Sequence, residues 1–199
     1  MQYGIQRRTI YVVPALPEDL EWIFELFERR EIWEMFGFDG PGKEEMIRRH
    51  ASGNLVIGIA RRVADRRRIG FGILFPPTDH LGIWEYGVVI PEREDRDAFS
   101  AIAASDAMSH YVFDHLRIEA AIWRIRADNR ASIAIAQRMG YRPFGTWEVG
   151  GHRFRFFRLN QEIWAKRRAK LDEGEATRPS GLGSTFLTLS DPPFDPEPT

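Results

Sequence analysis

The stretch from Trp84 to Tyr141 restricts the possible folds more than any other part of the chain. It reads strand (Trp84–Ile90), loop (Pro91–Arg96), helix (Asp97–Leu116), strand (Ile118–Arg126), helix (Asn129–Met139), and then Gly140-Tyr141. A strand–helix–strand unit predicts a right-handed parallel connection. At each strand-to-helix junction the first-turn N–H groups lack intrahelical partners and the helix dipole is positive, which makes a natural anion site. The long helix gathers Ala98, Ala101, Ile102, Met108, Val112 and Leu116 on one face. In the second, Ile133, Ala136 and Met139 turn inward, Asp128 or Asn129 suits the N-cap, and Gly140 suits the C′ position.

The remaining segments supply antiparallel strands and covering helices. Arg8–Val13 is β-rich and ends at Pro14. Pro17-Glu-Asp opens a helix that carries Leu20, Ile23, Phe24 and Phe27 at helical spacing to about Arg30. The aromatic segment Ile32–Phe38 reads as a core-covering loop or an acceptor-pocket wall, and Lys43–His50 as a short helix stopped by Ser52-Gly53-Asn54. Leu55–Val63 and Arg68–Phe75 are predicted strands, joined by a turn within the arginine run Arg61, Arg62, Arg66, Arg67 and Arg68. That run reads as a solvated hairpin tip or as a contact for phosphates or an acidic partner. Gly82–Ile90 is a third strand, with Trp84, Tyr86 and Val88 on one face and Glu85, Gly87 and Val89 on the other. Tyr141–Trp147 and His152–Leu159 flank Gly150-Gly151, a hairpin signal, and Asn160–Leu171 is a basic helix. The pattern alone predicts an α/β (α+β) fold: a mixed central sheet with helices on both faces.

Composition sets the limits of function. With 43% hydrophobic residues among 199, one domain can bury a substantial core. There is no cysteine, hence no disulfide, thiol nucleophile or cysteine metal site; a reducing cytoplasm is the expected location. The start has no apolar leader region, and no apolar run reaches the roughly 20 residues that span a bilayer, so no membrane partner is expected. Net charge is −1, but residues 172–199 hold six acids against Arg178, leaving 23 acids and 27 bases in residues 1–171. We therefore divide the chain into a domain over 1–171 and an acidic Pro/Gly/Ser-rich tail over 172–199. The mildly basic body tolerates anionic ligands without announcing a nucleic-acid binder. His110, His115 and His152 have no ligand spacing, and no metal is expected.

The segment Asn129-Arg-Ala-Ser132 through Arg138-Met-Gly140-Tyr141 resembles the asparagine–serine helix and Gly-Tyr ending of the GNAT superfamily of N-acetyltransferases, most of all their ribosomal-protein-acetylating branch. Glu85-Tyr-Gly87-Val-Val-Ile-Pro91-Glu92 is similar to the strand that precedes the family's first helix. The resemblance covers roughly residues 8–165. It implies a mixed, mostly antiparallel sheet and acetyl-CoA as co-substrate. It also implies coenzyme contacts from Val88, Val89, Ile90, Arg93, Arg96, Ala98, Asn129, Arg130 and Ser132, with Ser132 placed to protonate the leaving thiolate. Ala136 stands where many relatives carry a tyrosine acid. Glu85 is the candidate base, on the strand entering the site, and strand N–H groups can polarise the carbonyl. Read on their own, Asn129 is also a plain N-cap, Ser132 a small first-turn residue and Glu85 a hydrogen-bonded strand acid.

The family's glycine-rich pyrophosphate turn is replaced by Arg93-Glu94-Asp95-Arg96-Asp97-Ala98, with Asp95 and Asp97 in the glycine places. A carboxylate there competes for the N–H groups that phosphate uses. At about 5 Å and an effective dielectric near 20 it costs roughly 3 kcal/mol of repulsion, which Arg93, Arg96 and Arg130 can offset. Three functions follow: an acyl-CoA-dependent N-acyltransferase with an amine-bearing acceptor; an enzyme of the same fold using another donor, such as an aminoacyl-tRNA or nucleotide; or a non-catalytic binding module. A dimer paired through the last hairpin or the tail is compatible with each.

Overall fold

The computed structural model describes residues 5–7, 10–33, 43–75, 83–96 and 98–176. Its centre is one eight-stranded sheet in the order β1-β2-β3-β4-β5-β6-β8-β7. The strands are β1 (Ile5–Arg7), β2 (Ile10–Pro14), β3 (Val56–Arg62), β4 (Arg68–Phe75), β5 (Trp84–Val89), β6 (Ala120–Arg126), β7 (Arg142–Val149) and β8 (His152–Asn160). All neighbours pair antiparallel except β5 and β6, which are parallel. The helices are α1 (Pro17–Phe27), α2 (Arg30–Trp33), α3 (Lys43–Ala51), α4 (Ala98–His110), α5 (Arg130–Arg138) and α6 (Gln161–Ala176). This is the mixed, mostly antiparallel sheet with helices on both faces that the sequence leads one to expect.

Two cores lie on opposite sides of the sheet because strand residues alternate. Ile57, Ile59, Phe71, Ile73 and Val89 face Leu20, Ile23, Leu26 and Met46 of α1 and α3. Tyr86, Ala121, Trp123, Ile125 and Phe157 face Ala104, Ala107, Met108, Ile133, Ala136 and Trp164 of α4, α5 and α6. The paired glycines Gly58 and Gly72 admit α4 closely: a Cβ on either would stand 2.8 or 2.7 Å from Met108 Sδ.

Some boundaries differ from the sequence reading. The N-terminal strand is two short ones, β1 and β2. The long helix ends at His110 and continues as a π-helical turn over Tyr111–His115, closed by Leu116 N–H donating to Tyr111 O at 2.9 Å. The last helix passes the expected boundary at 171 and runs to Ala176. It is tied to α4 by Arg167, whose guanidinium grips the buried Asp106 at 2.5 and 2.8 Å, and to the π-helical turn by Trp164 Nε1 donating to Asp114 at 2.9 Å. Among the described residues no helix is long and apolar enough to cross a membrane. Part of the aromatic segment after Trp33, residues 34–42, and the tail from 177 onward lie outside the described residues.

Candidate active site

The site begins where the parallel ladder stops. β5 and β6 pair only through Trp84↔Ala121, Glu85↔Ile122 and Tyr86↔Trp123. Beyond Tyr86, Gly87–Val89 remains paired with β4 on its other side, but no ladder joins it to Arg124–Arg126. The strands part there, and two cavities occupy the opening. One of about 570 Å³ runs between α4 and α5 and is lined by Val88, Val89, Ile90, Ala101, Ile102, Ala131, Ala134 and Ile135, with polar Ser105, Asn129 and Ser132 and basic Arg96 and Arg138. The other, about 40 Å³, lies between the strands and is lined by Glu85, Gly87, Arg124, Arg126, Asn129 and Ser132 among others. Val88, Val89, Trp123, Asn129 and Ser132 border both.

The sequence-predicted residues fall into two groups. Val88, Val89, Ile90, Arg96, Asn129 and Ser132 line the larger cavity, and Glu85 and Ser132 line the smaller one together. Ala98 is the first residue of α4; its side chain lies outside the described ones. Arg93 and Arg130 are exposed and border neither cavity. Asn129 caps α5, its Oδ1 accepting the Ser132 N–H at 3.1 Å. Arg96 donates from Nε to Ile90 O at 2.9 Å and from Nη2 to Pro91 O, folding back over the exit of β5.

Glu85 is held by Arg124, whose Nη2 lies 2.8 Å from Oε1. Burial pushes its carboxyl above the ordinary carboxylate range, and the Arg124 charge only partly opposes this. Arg124 is a residue that the sequence reading missed. The signal was there: an arginine inside a buried strand requires a carboxylate, and Arg124 lies two residues beyond Ile122, the register partner of Glu85, and so on the same face. Beneath the opening, Tyr141 stacks on Tyr86 (centroids 6.2 Å, 8° between planes), and Trp123 meets both edge-on. Gly140, at φ +92°, ends α5 and turns Tyr141 into this floor.

The expected clash in the donor loop does not occur at Asp95. Its side chain does not cap α4, which starts three residues later. It is 4% exposed, and its Oδ1 receives Arg62 Nη2 at 2.6 Å and Arg67 Nη2 at 2.7 Å. The charge expected to repel a pyrophosphate is balanced by two guanidinium groups. The arginines at the hairpin tip are partly exposed and also paired: Arg61 and Arg68 converge likewise on Asp19 at 2.7 and 3.4 Å. Asp97 lies outside the described residues.

A family model described as "Acetyltransferase (GNAT) domain" matches residues 9–142. Solved structures with the same fold include a GCN5-related N-acetyltransferase from Brucella melitensis (17% identity over 87% of this chain and 85% of that one, TM-score 0.64). A spermidine N-acetyltransferase from Vibrio cholerae, in complex with CoA and spermine, is 15% identical over 80% of this chain and 99% of that one, with TM-score 0.69. An aminoglycoside acetyltransferase in complex with coenzyme A is 14% identical over 80% and 99%, with TM-score 0.65. No curated protein matches the chain.

Proposed function

The chain belongs to the GNAT acetyltransferase family, and on that premise we propose that it transfers an acetyl group from acetyl-CoA to an amine-bearing acceptor. The observation that carries this reading is the parting of β5 and β6, with the α4–α5 cleft opening onto the same point as the Glu85/Ser132 cavity. The cleft suits an acyl-CoA in kind: apolar side chains line most of its length, and Arg96 and Arg138 offer positive charge for phosphates. The helix dipole is positive at the α4 N-terminus, which favours the phosphates. Residues Val88, Val89, Ile90, Arg96, Asn129 and Ser132 would hold it, and when bound it supplies the acyl group as an activated thioester.

The chain's own residues divide the remaining work. Glu85, held by Arg124 and poised by burial, takes a proton from the attacking amine. The β5 backbone beyond Tyr86, free of the β6 ladder, orients and polarises the carbonyl to be attacked. Ser132 offers its hydroxyl to the departing sulfur, while Asn129 fixes the Ser132 backbone. Direct attack needs no covalent enzyme intermediate, which suits a chain without cysteine. Asp19 and Asp95 engage Arg61, Arg62, Arg67 and Arg68, which leaves less of the hairpin's charge for a nucleic-acid donor.

Calorimetric titration of acetyl-CoA into the protein tests the donor half of the reading, with micromolar binding expected. Release of free CoA thiol across a panel of polyamines, aminoglycosides, amino sugars and peptide N-termini tests the acceptor half. Absence of acetyl-CoA binding would sink the reading.

A further inference from the structure

The loop that leads from β5 to α4 is held at three places. Glu92 receives Arg29 at 2.8 Å, Arg96 binds the carbonyls of Ile90 and Pro91, and Asp95 is buried against Arg62 and Arg67 of the β3–β4 hairpin. The third contact differs from the others in burial and in reach. The β4–β5 ladder ends at Phe71↔Val89, and Asp95 resumes the connection at Arg67, four residues before Phe71. Arg62 and Arg67 stand opposite each other across the hairpin, with Arg62 N–H donating to Arg67 O at 2.9 Å. Two like charges opposite each other on paired strands repel; one shared carboxylate oxygen resolves this. Leaving the pair would strand a buried carboxylate and restore the repulsion, so the pair favours one loop conformation. The three groups together carry net positive charge.

We propose that Asp95, Arg62 and Arg67 form a positioning clamp for the donor loop, through which the hairpin tip sets the competence of the cleft for acyl-CoA. None of the three lines either cavity, so they act through the loop and not by touching the donor. The proposal rests on the reading of the cleft as the acyl-CoA site. On this account, aspartate in a glycine place is a different means of support and not a lesion.

The test is calorimetric titration of acetyl-CoA into wild type, Asp95→Asn, Arg67→Lys, the Arg62→Met/Arg67→Met pair and the triple variant, each well below its melting temperature. Hydrogen exchange is followed at the Asp95 and Arg96 amides, which donate to Glu92 O and Arg93 O at 3.2 and 3.1 Å. Asp95→Asn is expected to bind roughly tenfold more weakly and to lose protection at both amides. The paired arginine variant should match it, and the triple variant should be no worse than the pair, as members of one network behave. Arg67→Lys keeps the charge and should bind within about threefold of wild type. Undiminished or tighter binding by Asp95→Asn overturns the clamp. If wild type binds no acetyl-CoA, the donor reading fails by itself, and exchange decides the clamp: unchanged protection in Asp95→Asn overturns it, lost protection upholds it. Should Asp95→Asn not fold, the Arg67→Met variant, altered at a partly exposed side chain, carries the same comparison.

Discussion

Asp19, in the first turn of α1, and Asp95, in the loop before α4, are two solutions to one problem. Both are buried carboxylates on elements that the sequence places far from the hairpin, and each holds a cross-strand pair of its arginines. Because neighbouring strand residues face opposite ways, Arg61 and Arg68 reach α1 on one side while Arg62 and Arg67 reach the donor loop on the other. The satisfaction of the two acids differs. Asp19 is 0% exposed and uses both oxygens: Oδ1 takes the arginines and Oδ2 accepts the Leu16 N–H at 3.1 Å, closing the helix start. Asp95 uses only Oδ1; its buried Oδ2 has no partner among the described residues, and its arginines are 39% and 41% exposed. On the clamp proposal, the saturated anchor serves stability and the half-used one serves the conformation of the loop.

The largest effect expected from breaking this comparison is on Asp19. Asp19→Ala removes a helix cap and leaves two arginines facing each other, at a loss of about 3 kcal/mol in urea unfolding, with acetyl-CoA affinity unchanged in the folded fraction. Glu85 extends the series to a carboxylate with one arginine, and there function takes over. Burial raises its pKa, so the base form appears at higher pH than for an ordinary carboxylate. The acceptor kcat/KM should therefore show an ascending limb displaced upward, and Glu85→Gln should flatten that limb and lower kcat about a hundredfold. The stability sign is opposite: a raised carboxyl favours the fold below its unfolded pKa and loses that contribution as pH rises through the folded value. Asp95→Asn comes next, at about 1 kcal/mol of stability, because its exposed arginines regain water. A loss as large as that of Asp19→Ala would erase the distinction between the two acids. The smallest effect belongs to the exposed Arg29–Glu92 pair: Glu92→Gln should change the free energy of unfolding by no more than about 0.5 kcal/mol.

Much of this architecture was legible in the chain. β4 runs over the residues read from the sequence, Arg68–Phe75, and the alternation in Trp84–Val89 assigned both faces of β5, since local apolar periodicity and turn residues decide such elements. Asn129, Ser132 and Glu85 were singled out in the same stretch, the first two on the family resemblance, and all three line one cavity. What stayed hidden depends on partners distant in sequence. Nothing near Asp95 tells that it turns away from the helix start to meet Arg62 and Arg67, some thirty residues earlier. Nor does the arginine run reveal the acids that pair with it, although two arginines on each side of the Val63–Arg66 turn do hint that one of each pair faces each side of the sheet. The π-helical end of α4 escaped as well, because the apolar spacing of Val112 and Leu116 fits either helix type.

The short parallel pairing of β5 with β6 has a thermodynamic consequence. Five strands on one side and three on the other meet edge to edge over three residue pairs, so this interior seam is as short as the β1–β2 pairing at the sheet edge. A ligand lodged across it touches both parts and recognises only the assembled protein. Such a ligand acts as a fastener: at a hundred times its dissociation constant it adds about 2.7 kcal/mol to the free energy of unfolding, and the melting temperature rises with its concentration. On the proposed function, the gap in the ladder would thus also be the place where substrate concentration tunes the stability of the fold.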